Sequence, residues 1–267
     1  MTARFVTENV PPDITEALAR AGSRLGPFGN HLSWHEEVGS TNDLAAAAAE
    51  AGASEGLVVV ANTQSLGRGR MGRSWSSPPG AGLYVSVVLR PGGSALRLLT
   101  IAAGVAIAEG VHAASGLQTC LKWPNDVYLG SRKLAGILAE AGSSAGAVDH
   151  VVLGFGINVN RANYPPEVAA RATSIEHELG RPIDRGLVLA SCLSALTVRY
   201  RQLQMAPHAV LDAWRSYAVS MLNRRVECTV GLRSVAGVAE DIDERGALVV
   251  RVGDETVHVI SGEVVWR

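Results

Sequence analysis

Residues 67–73 read Gly67-Arg68-Gly69-Arg70-Met71-Gly72-Arg73, which places three guanidinium groups in one short stretch with glycines between them. The formal net charge of the chain is only -1, so this is a local concentration of charge. No Asp or Glu occurs from position 56 to position 108, where the charged side chains are Arg68, Arg70, Arg73, Arg90 and Arg97. A field of this kind attracts anions. Glycine lets backbone N–H groups come close to an oxyanion and point at it. Arginine recognises carboxylate or phosphate through a planar fork of donors. A flexible basic surface loop is the plainer alternative. The letters also satisfy G-x-G-x-x-G, but that fingerprint needs a helix directly behind it and an acidic residue about 20 positions on. Here Ser74-Trp75-Ser76-Ser77-Pro78-Pro79-Gly80 follows, which cannot open that helix, and the next acidic residue is Glu109. No G-x-x-x-x-G-K-[ST] motif is present.

Three more segments carry polar residues in unusual settings. Ser40-Thr41-Asn42 stands where a helix begins, so hydroxyls and backbone donors converge there. It reads equally well as a helix cap. Lys122-Trp123-Pro124-Asn125-Asp126 is followed by a hairpin that runs from Val127 to Leu138. Strand alternation predicts that Lys133 shares a face with Ala135 and Ile137, where an ammonium needs an anionic partner. An edge-strand lysine at the hairpin mouth is the alternative. In Gly154-Phe155-Gly156-Ile157-Asn158 two glycines weaken a strand unless something must approach its backbone.

The elements that hold these residues follow from periodicity and punctuation. Helices are predicted over 13–25, 41–51, 98–114, 166–179, 184–203 and 209–222. Strands are predicted over 57–61, 82–89, 117–123, 133–140 and 150–159. After Asn223 the texture turns to short β-rich runs at 226–230, 247–252 and 256–260, which predict a small barrel of about five strands. The chain thus divides into a unit over 1–218 and a tail over 219–267. Its 267 residues are 47% hydrophobic and 18% charged, as in a folded globular protein. No uninterrupted apolar run has the length of a membrane span, and Met1 to Phe5 lacks a leader pattern. Three widely spaced cysteines, Cys120, Cys192 and Cys228, point to reduced thiols and a cytoplasmic protein. The balanced charge gives no reason to expect nucleic acid as a partner. His31 and His35 read as ordinary histidines, and Asp241, Asp243 and Glu244 as a solvated turn.

Taken together, Ser40-Thr41-Asn42, Gln64, the 67–73 loop with Trp75, Lys122-Trp123-Pro124-Asn125-Asp126, Arg132-Lys133-Leu134-Ala135-Gly136-Ile137-Leu138 and Gly156-Ile157-Asn158 resemble the biotin protein ligase family. The likeness covers residues 38–160, and the β-rich tail extends it to the C-terminus. It implies an α+β fold. The catalytic unit would be similar to class II aminoacyl-tRNA synthetases, with a mixed, mostly antiparallel sheet and flanking helices, and the tail to an SH3-like barrel. It also implies a two-step reaction. Biotin and ATP give biotinyl-5'-AMP, and the biotinyl group then passes to a lysine on the biotin carboxyl carrier domain of acyl-CoA carboxylases.

The resemblance assigns roles by position. Lys133, Arg68 and Lys122 would be catalytic. Ser40, Thr41, Asn42, Gln64, Arg68, Gly69, Arg70 and Lys133 would bind biotin. Arg70, Arg73, Trp75, Asn125, Asp126 and Asn158 would bind ATP and the adenylate, with Trp75 against the adenine. Mg²⁺ would accompany ATP, with no protein ligand set assigned. Fewer than 40 residues precede Ser40, too few for a winged helix-turn-helix, so the likeness is to the monofunctional subgroup. The rivals are a lipoate or octanoate ligase or transferase of the same fold, and a biotin-sensing regulator. The arginine loop is expected to be mobile until an anion relieves the repulsion among its guanidinium groups.

Overall fold

The computed structural model describes residues 4–5, 10–92, 95–144, 147–230 and 233–267. Residues 1–3, part of the stretch read for a leader, lie outside them. The chain opens with strand β1 (Arg4–Phe5), helix α1 (Pro12–Ala21), strand β2 (His31–Val38), helix α2 (Thr41–Glu50) and strand β3 (Leu57–Gln64). Strand β4 (Gly82–Leu89), helix α3 (Ala95–Ser115) and strands β5 (Cys120–Lys122), β6 (Asp126–Leu129), β7 (Arg132–Ser144) and β8 (Ala147–Asn158) follow. Then come helices α4 (Pro166–Ala169), α5 (Ile175–Leu179), α6 (Arg185–Met205) and α7 (Pro207–Ala218). The tail consists of strands β9 (Arg225–Val230), β10 (Arg233–Ile242), β11 (Leu248–Val252), β12 (Glu255–Val259) and β13 (Val264–Trp266).

The first eight strands form one sheet in the order β1-β2-β3-β4-β8-β7-β6-β5. β1, β2 and β3 run parallel, and every later neighbour pairs antiparallel. This is the mixed, mostly antiparallel sheet that the resemblance implies. Register gives the two faces different chemistry, because side chains alternate along a strand. Ser86 pairs with Gly154 and Gly154 with Leu138, so the even-numbered residues of β4, β7 and β8 share one face. The odd-numbered residues Leu83, Val85, Val87, Leu153, Ile157, Ala135 and Ile137 turn to the main core with α1, α3, α6 and α7. α2 covers the opposite face through Ala45 and Ala49, which meet Val59, Val88 and Val152. α3 is long and apolar enough to cross a membrane, but most of it is buried here as the central core helix.

Several predicted elements change at their ends. α1 stops at Ala21 because Gly22 takes φ 55°, and 3-10 turns carry the chain on to Gly29. The helix predicted over 166–179 is two short ones. Between them the backbone breaks off to pair with β7: Lys133 N donates to Arg171 O at 2.8 Å, and Thr173 N donates to Lys133 O at 2.9 Å. Lys133 also lies on the opposite face from the one alternation predicts. β7 carries a bulge there, with Val127 opposite Ala135 but Tyr128 opposite Lys133, so Leu134 is the extra residue. Lys133 therefore leaves the core face of Ala135 and Ile137 and reaches over Gly136.

The tail has the five strands expected, in one antiparallel sheet of order β12-β11-β10-β9-β13. Among the described residues β12 and β13 do not pair with each other, so the expected barrel is not closed. β13 has three residues and pairs with β9 alone. The tail packs on the larger unit: Ile242, Leu248, Val250 and Val259 belong to the main core, and Trp123 Nε1 donates to Gly246 O at 2.9 Å. The turn at 243–247 is closed by Asp243 Oδ1, which accepts from Arg245 N and Ala247 N.

Candidate active site

The polar face of the sheet, the start of α2 and the arginine loop enclose a narrow inner chamber of about 60 Å³. It opens past Gly69, Arg70, Trp75, Asn125 and Lys133 into an outer cavity of about 470 Å³, walled on its far side by residues 262–266 of the tail.

Apart from Arg68, Arg70 and Lys133, the inner chamber is lined by neutral groups, several of them joined in a hydrogen-bonded network. Ser40, Thr41 and Asn42 are all buried. Ser40 begins α2 without a side-chain capping bond, so the plain capping role left open by the sequence is not what its hydroxyl does. Gln64 Oε1 accepts from Thr41 N at 2.8 Å and from Thr41 Oγ1 at 3.1 Å, and Gln64 Nε2 donates to Ser77 Oγ at 3.0 Å. Ser86 Oγ lies 2.7 Å from Thr41 Oγ1 and donates to Asn42 Oδ1 at 2.6 Å. Asn42 Nδ2 donates to Glu140 Oε2 at 2.5 Å.

The glycines in β7 and β8 are explained by what lies on them. A Cβ on Gly154 would overlap the Asn42 amide, and one on Gly156 would overlap the Trp75 indole. One on Gly136 would stand 2.9 Å from Trp75 Cζ3 and 3.2 Å from Lys133 Nζ. The backbone is approached closely, as the glycine-weakened strand implied, and the groups that approach it come from this chain. Trp75 Nε1 is buried there with no hydrogen-bond partner among the described residues.

The three loop arginines each have a partner, although Arg73 still repels Arg70. Arg68 Nη2 lies 2.8 Å from Asp43 Oδ1 and 2.9 Å from Glu140 Oε2. Arg73 pairs with Glu263 of the tail. Arg70 Nη1 donates to the neutral Asn125 Oδ1 at 3.2 Å, and among the described residues it has no carboxylate within ion-pair distance. Its pKa is lowered by burial first, against the attraction of Asp126. The loop is closed on itself by Gly69 N to Arg73 O at 2.6 Å and Trp75 N to Gly67 O at 2.8 Å. Met71 and Gly72 take positive φ at 57° and 72°, which lets the chain turn back there.

The outer cavity is cationic. Arg70, Arg73, Lys122, Lys133 and Arg171 line it against two carboxylates, Asp126 and Glu263. Lys133 Nζ stands 2.6 Å from Asp126 Oδ1 and 5.4 Å from the Trp75 ring centre. That approach is an ion pair whose angle is not that of a hydrogen bond, for the buried Asp126 Oδ1 has no hydrogen-bond partner. Lys122 lies 5.1 Å from the Tyr128 ring centre, and burial holds its pKa below the ordinary lysine value. Asn125 Nδ2 donates to Ile137 O at 2.7 Å and fixes the chain after Trp123 against β7. Asn158 is a wall rather than a free arm: Nδ2 donates to Thr173 O at 3.0 Å, and Oδ1 accepts from Tyr164 at 3.2 Å.

Every site residue named from the sequence thus lines one or both spaces. Those missed are Asp43, Ser86, Glu140, Tyr128, Arg171 and Glu263. Asp43, Tyr128 and Glu140 stand within two residues of a motif and the others far from one, but it is register or the tail's placement that brings them to the site.

An inner chamber of neutral donors and acceptors joined to a cationic cavity can hold two anions end to end. The biotin/lipoate A/B protein ligase profile matches residues 35–158, and the biotin protein ligase C-terminal domain profile matches residues 221–267. The bifunctional ligase/repressor BirA of Bacillus subtilis is 35% identical over 262 residues, covering 95% of this chain and 79% of the relative. The chain belongs to the biotin protein ligase family. The biotin–[acetyl-CoA-carboxylase] ligase of Mycobacterium tuberculosis is 38% identical over 237 residues, covering 86% of each protein. The biotin protein ligase of Aquifex aeolicus, solved in complex with biotin and ATP, superimposes with TM-score 0.77 at 30% identity. That match covers 88% of this chain and 98% of the other.

Proposed function

We propose that this chain is a biotin–[biotin carboxyl-carrier protein] ligase. It joins biotin to ATP as biotinyl-5'-AMP and passes the biotinyl group to a lysine of the carrier domain of an acyl-CoA carboxylase. The observation that carries this reading is the junction at Arg70 and Lys133, which border both the neutral chamber and the cationic cavity.

In the first step a biotin carboxylate oxygen attacks the α-phosphorus. The bond from that phosphorus to the bridging oxygen breaks, and pyrophosphate leaves. Two anions must meet, so fixed cations at the meeting point lower the barrier. Arg70 and Lys133 supply them. The ureido ring of biotin offers donors and an acceptor, which suits the hydroxyls and amides of Ser40, Thr41, Asn42 and Gln64. Gly69 brings its backbone close to the carboxylate, and Arg68 holds the loop around it. Trp75, Asn125 and Asn158 frame the adenylate side, with Arg73 and Lys122 toward the phosphates. In the second step the carrier's ε-amine attacks the acyl carbon, AMP leaves and the amine gives up a proton. The closed loop keeps water from the anhydride meanwhile.

Mg²⁺ fits this donor set in one way. Among the described residues no group of three metal-binding side chains occurs, yet Mg²⁺ carried by phosphates needs only one or two carboxylates. Asp126, whose Oδ1 is paired with Lys133 but accepts no hydrogen bond among the described residues, would be the protein's ligand. The ion would neutralise charge on the phosphates. We take 1–218 as the catalytic unit and 219–267 as the tail, with the tail closing the phosphate side.

The test is labelling of a carrier domain. The expected result is a biotinyl mass increment on one lysine that requires both biotin and ATP. Labelling with lipoate but not biotin, or none at all, would overturn the reading.

A further inference from the structure

Glu140 lies on β7, on the same face as Gly136 and Leu138, behind the inner chamber. Its Oε2 fastens to the sheet two elements that are already joined to each other by the Asp43–Arg68 ion pair. It accepts from Asn42 Nδ2, at the start of α2, at 2.5 Å, and from Arg68 Nη2, in the arginine loop, at 2.9 Å. The chain of bonds continues on both sides. Ser86 Oγ donates to Asn42 Oδ1 at 2.6 Å, and Asp43 Oδ1 takes the same guanidinium nitrogen at 2.8 Å. Asn42 is buried and rests on Gly154, so its amide has little freedom to turn elsewhere. Arg68 has its charge answered by two carboxylates, unlike Arg70.

We propose that Glu140 is a positioning residue. One carboxylate oxygen fastens the start of α2 and the arginine loop to the sheet, so that the chamber's two halves keep the spacing that a bound acid needs. Charge-assisted hydrogen bonds are the stronger kind, and two on one oxygen tie both elements to the rigid sheet. Loss of Glu140 releases Arg68 from the sheet and leaves the buried Asn42 Nδ2 without its acceptor. The inference that this spacing serves biotin rests on the reading above. The inference that Glu140 fastens the loop does not.

The experiment uses the full chain with Glu140→Ala and the near-isosteric Glu140→Gln, checked for native circular dichroism and melting. In the absence of ligand, trypsin is expected to cut within Arg68–Arg73 about two- to fivefold faster in Glu140→Ala than in the parent, as expected for loss of a half-exposed ion pair when the pair with Asp43 remains. Glu140→Gln is expected to fall between, because its amide oxygen still serves Asn42 but no longer carries charge for Arg68. In pyrophosphate release, the KM for biotin is expected to rise by a similar factor, more than kcat falls, with the KM for ATP unchanged. A parent-like cutting rate in both folded variants would overturn the fastening role. Faster cutting with an unchanged KM for biotin would overturn the link to the chamber. Should Glu140→Ala fail to fold, Glu140→Gln decides alone. A parent protein that releases no pyrophosphate would defeat the ligase reading and leave the cutting result to judge the lock.

Discussion

The inner chamber and the outer cavity share Arg70 and Lys133 yet are built on opposite electrostatic plans. In the chamber nearly every polar atom has a partner: Gln64 with Thr41 and Ser77, Asn42 with Ser86 and Glu140, Arg68 with Asp43 and Glu140. In the cavity cations outnumber acids, and Asp126 Oδ1 has no hydrogen bond. A neutral bicyclic ring and a polyphosphate ask for these two kinds of surface. A satisfied network is rigid and selects by shape and bond pattern. An unbalanced cluster of cations is costly until an anion arrives, so its attraction is greatest for the most highly charged ligand.

The largest effect that would sharpen this contrast lies at the shared residue Lys133. Lys133→Ala should lose most adenylation, by a few hundredfold, which is about 3 kcal/mol for one interaction made with developing charge. Its backbone would stay clamped by Arg171 and Thr173, so melting should change little. Pyrophosphate release measures it, and near-parental turnover in the folded variant would remove Lys133 from the chemistry.

Next come the two arginines that the structure distinguishes. Arg70 faces a neutral partner and Arg68 faces two carboxylates. Arg70→Ala should lower the rate of adenylation by about a hundredfold. Arg68→Ala should act mainly on the KM for biotin, by about tenfold, with a smaller loss in kcat. Equal losses in kcat for the two variants would break the division between chamber and cavity.

A smaller effect is expected from Gly154→Ala, which touches the chamber alone. The added methyl would overlap the Asn42 amide, so Asn42 must shift away from Ser86 and Glu140. Overpacking of this sort costs about 1–3 kcal/mol. Biotin binding, followed by calorimetry, should weaken by about tenfold while ATP binding is kept. Parallel weakening of both ligands would show that the two spaces are not independent.

The parts of this site that could be read in sequence are those whose chemistry is local. The arginine loop, the paired glycines of β8 and the polar start of α2 each announce themselves within a few residues. Lys133 was legible as a site residue but not in its direction, since a bulge at Leu134 cannot be seen in an alternating pattern. Asp43, Glu140 and Glu263 were not legible because no local signal marks a carboxylate whose partner lies across the sheet or in another unit. Their role is defined by register and packing. β10 escaped for a different reason: Ala236, Gly237 and the acidic residues near its end dilute the apolar run, and its pairing slips between Ala239 and Asp241. The predicted helix over 166–179 failed because Arg171 O and Thr173 N bond to the Lys133 backbone instead.

The smallest expected effect concerns the closed loop itself. The loop forms one wall of the narrow inner chamber, so lifting it would widen the way in for biotin. What holds it down is modest. The Arg68 and Arg73 side chains are 42% and 63% exposed, and exposed ion pairs contribute about 0–1 kcal/mol each. Salt screens such pairs, with a Debye length that falls from about 10 Å at 0.1 M to about 3 Å at 1 M. Trypsin, which needs an opened segment, should therefore cut the free protein within Arg68–Arg73, and about two- to fivefold faster at 1 M than at 0.1 M salt once the protease's own salt response is subtracted with a peptide substrate. Biotin with ATP should slow the cut substantially, because the bound adenylate supplies the loop with a partner that is far better shielded. Fragment masses locate the cut. A free protein that resists trypsin there at every salt concentration would mean that the buried part of the network, and not the ion pairs, holds the loop closed.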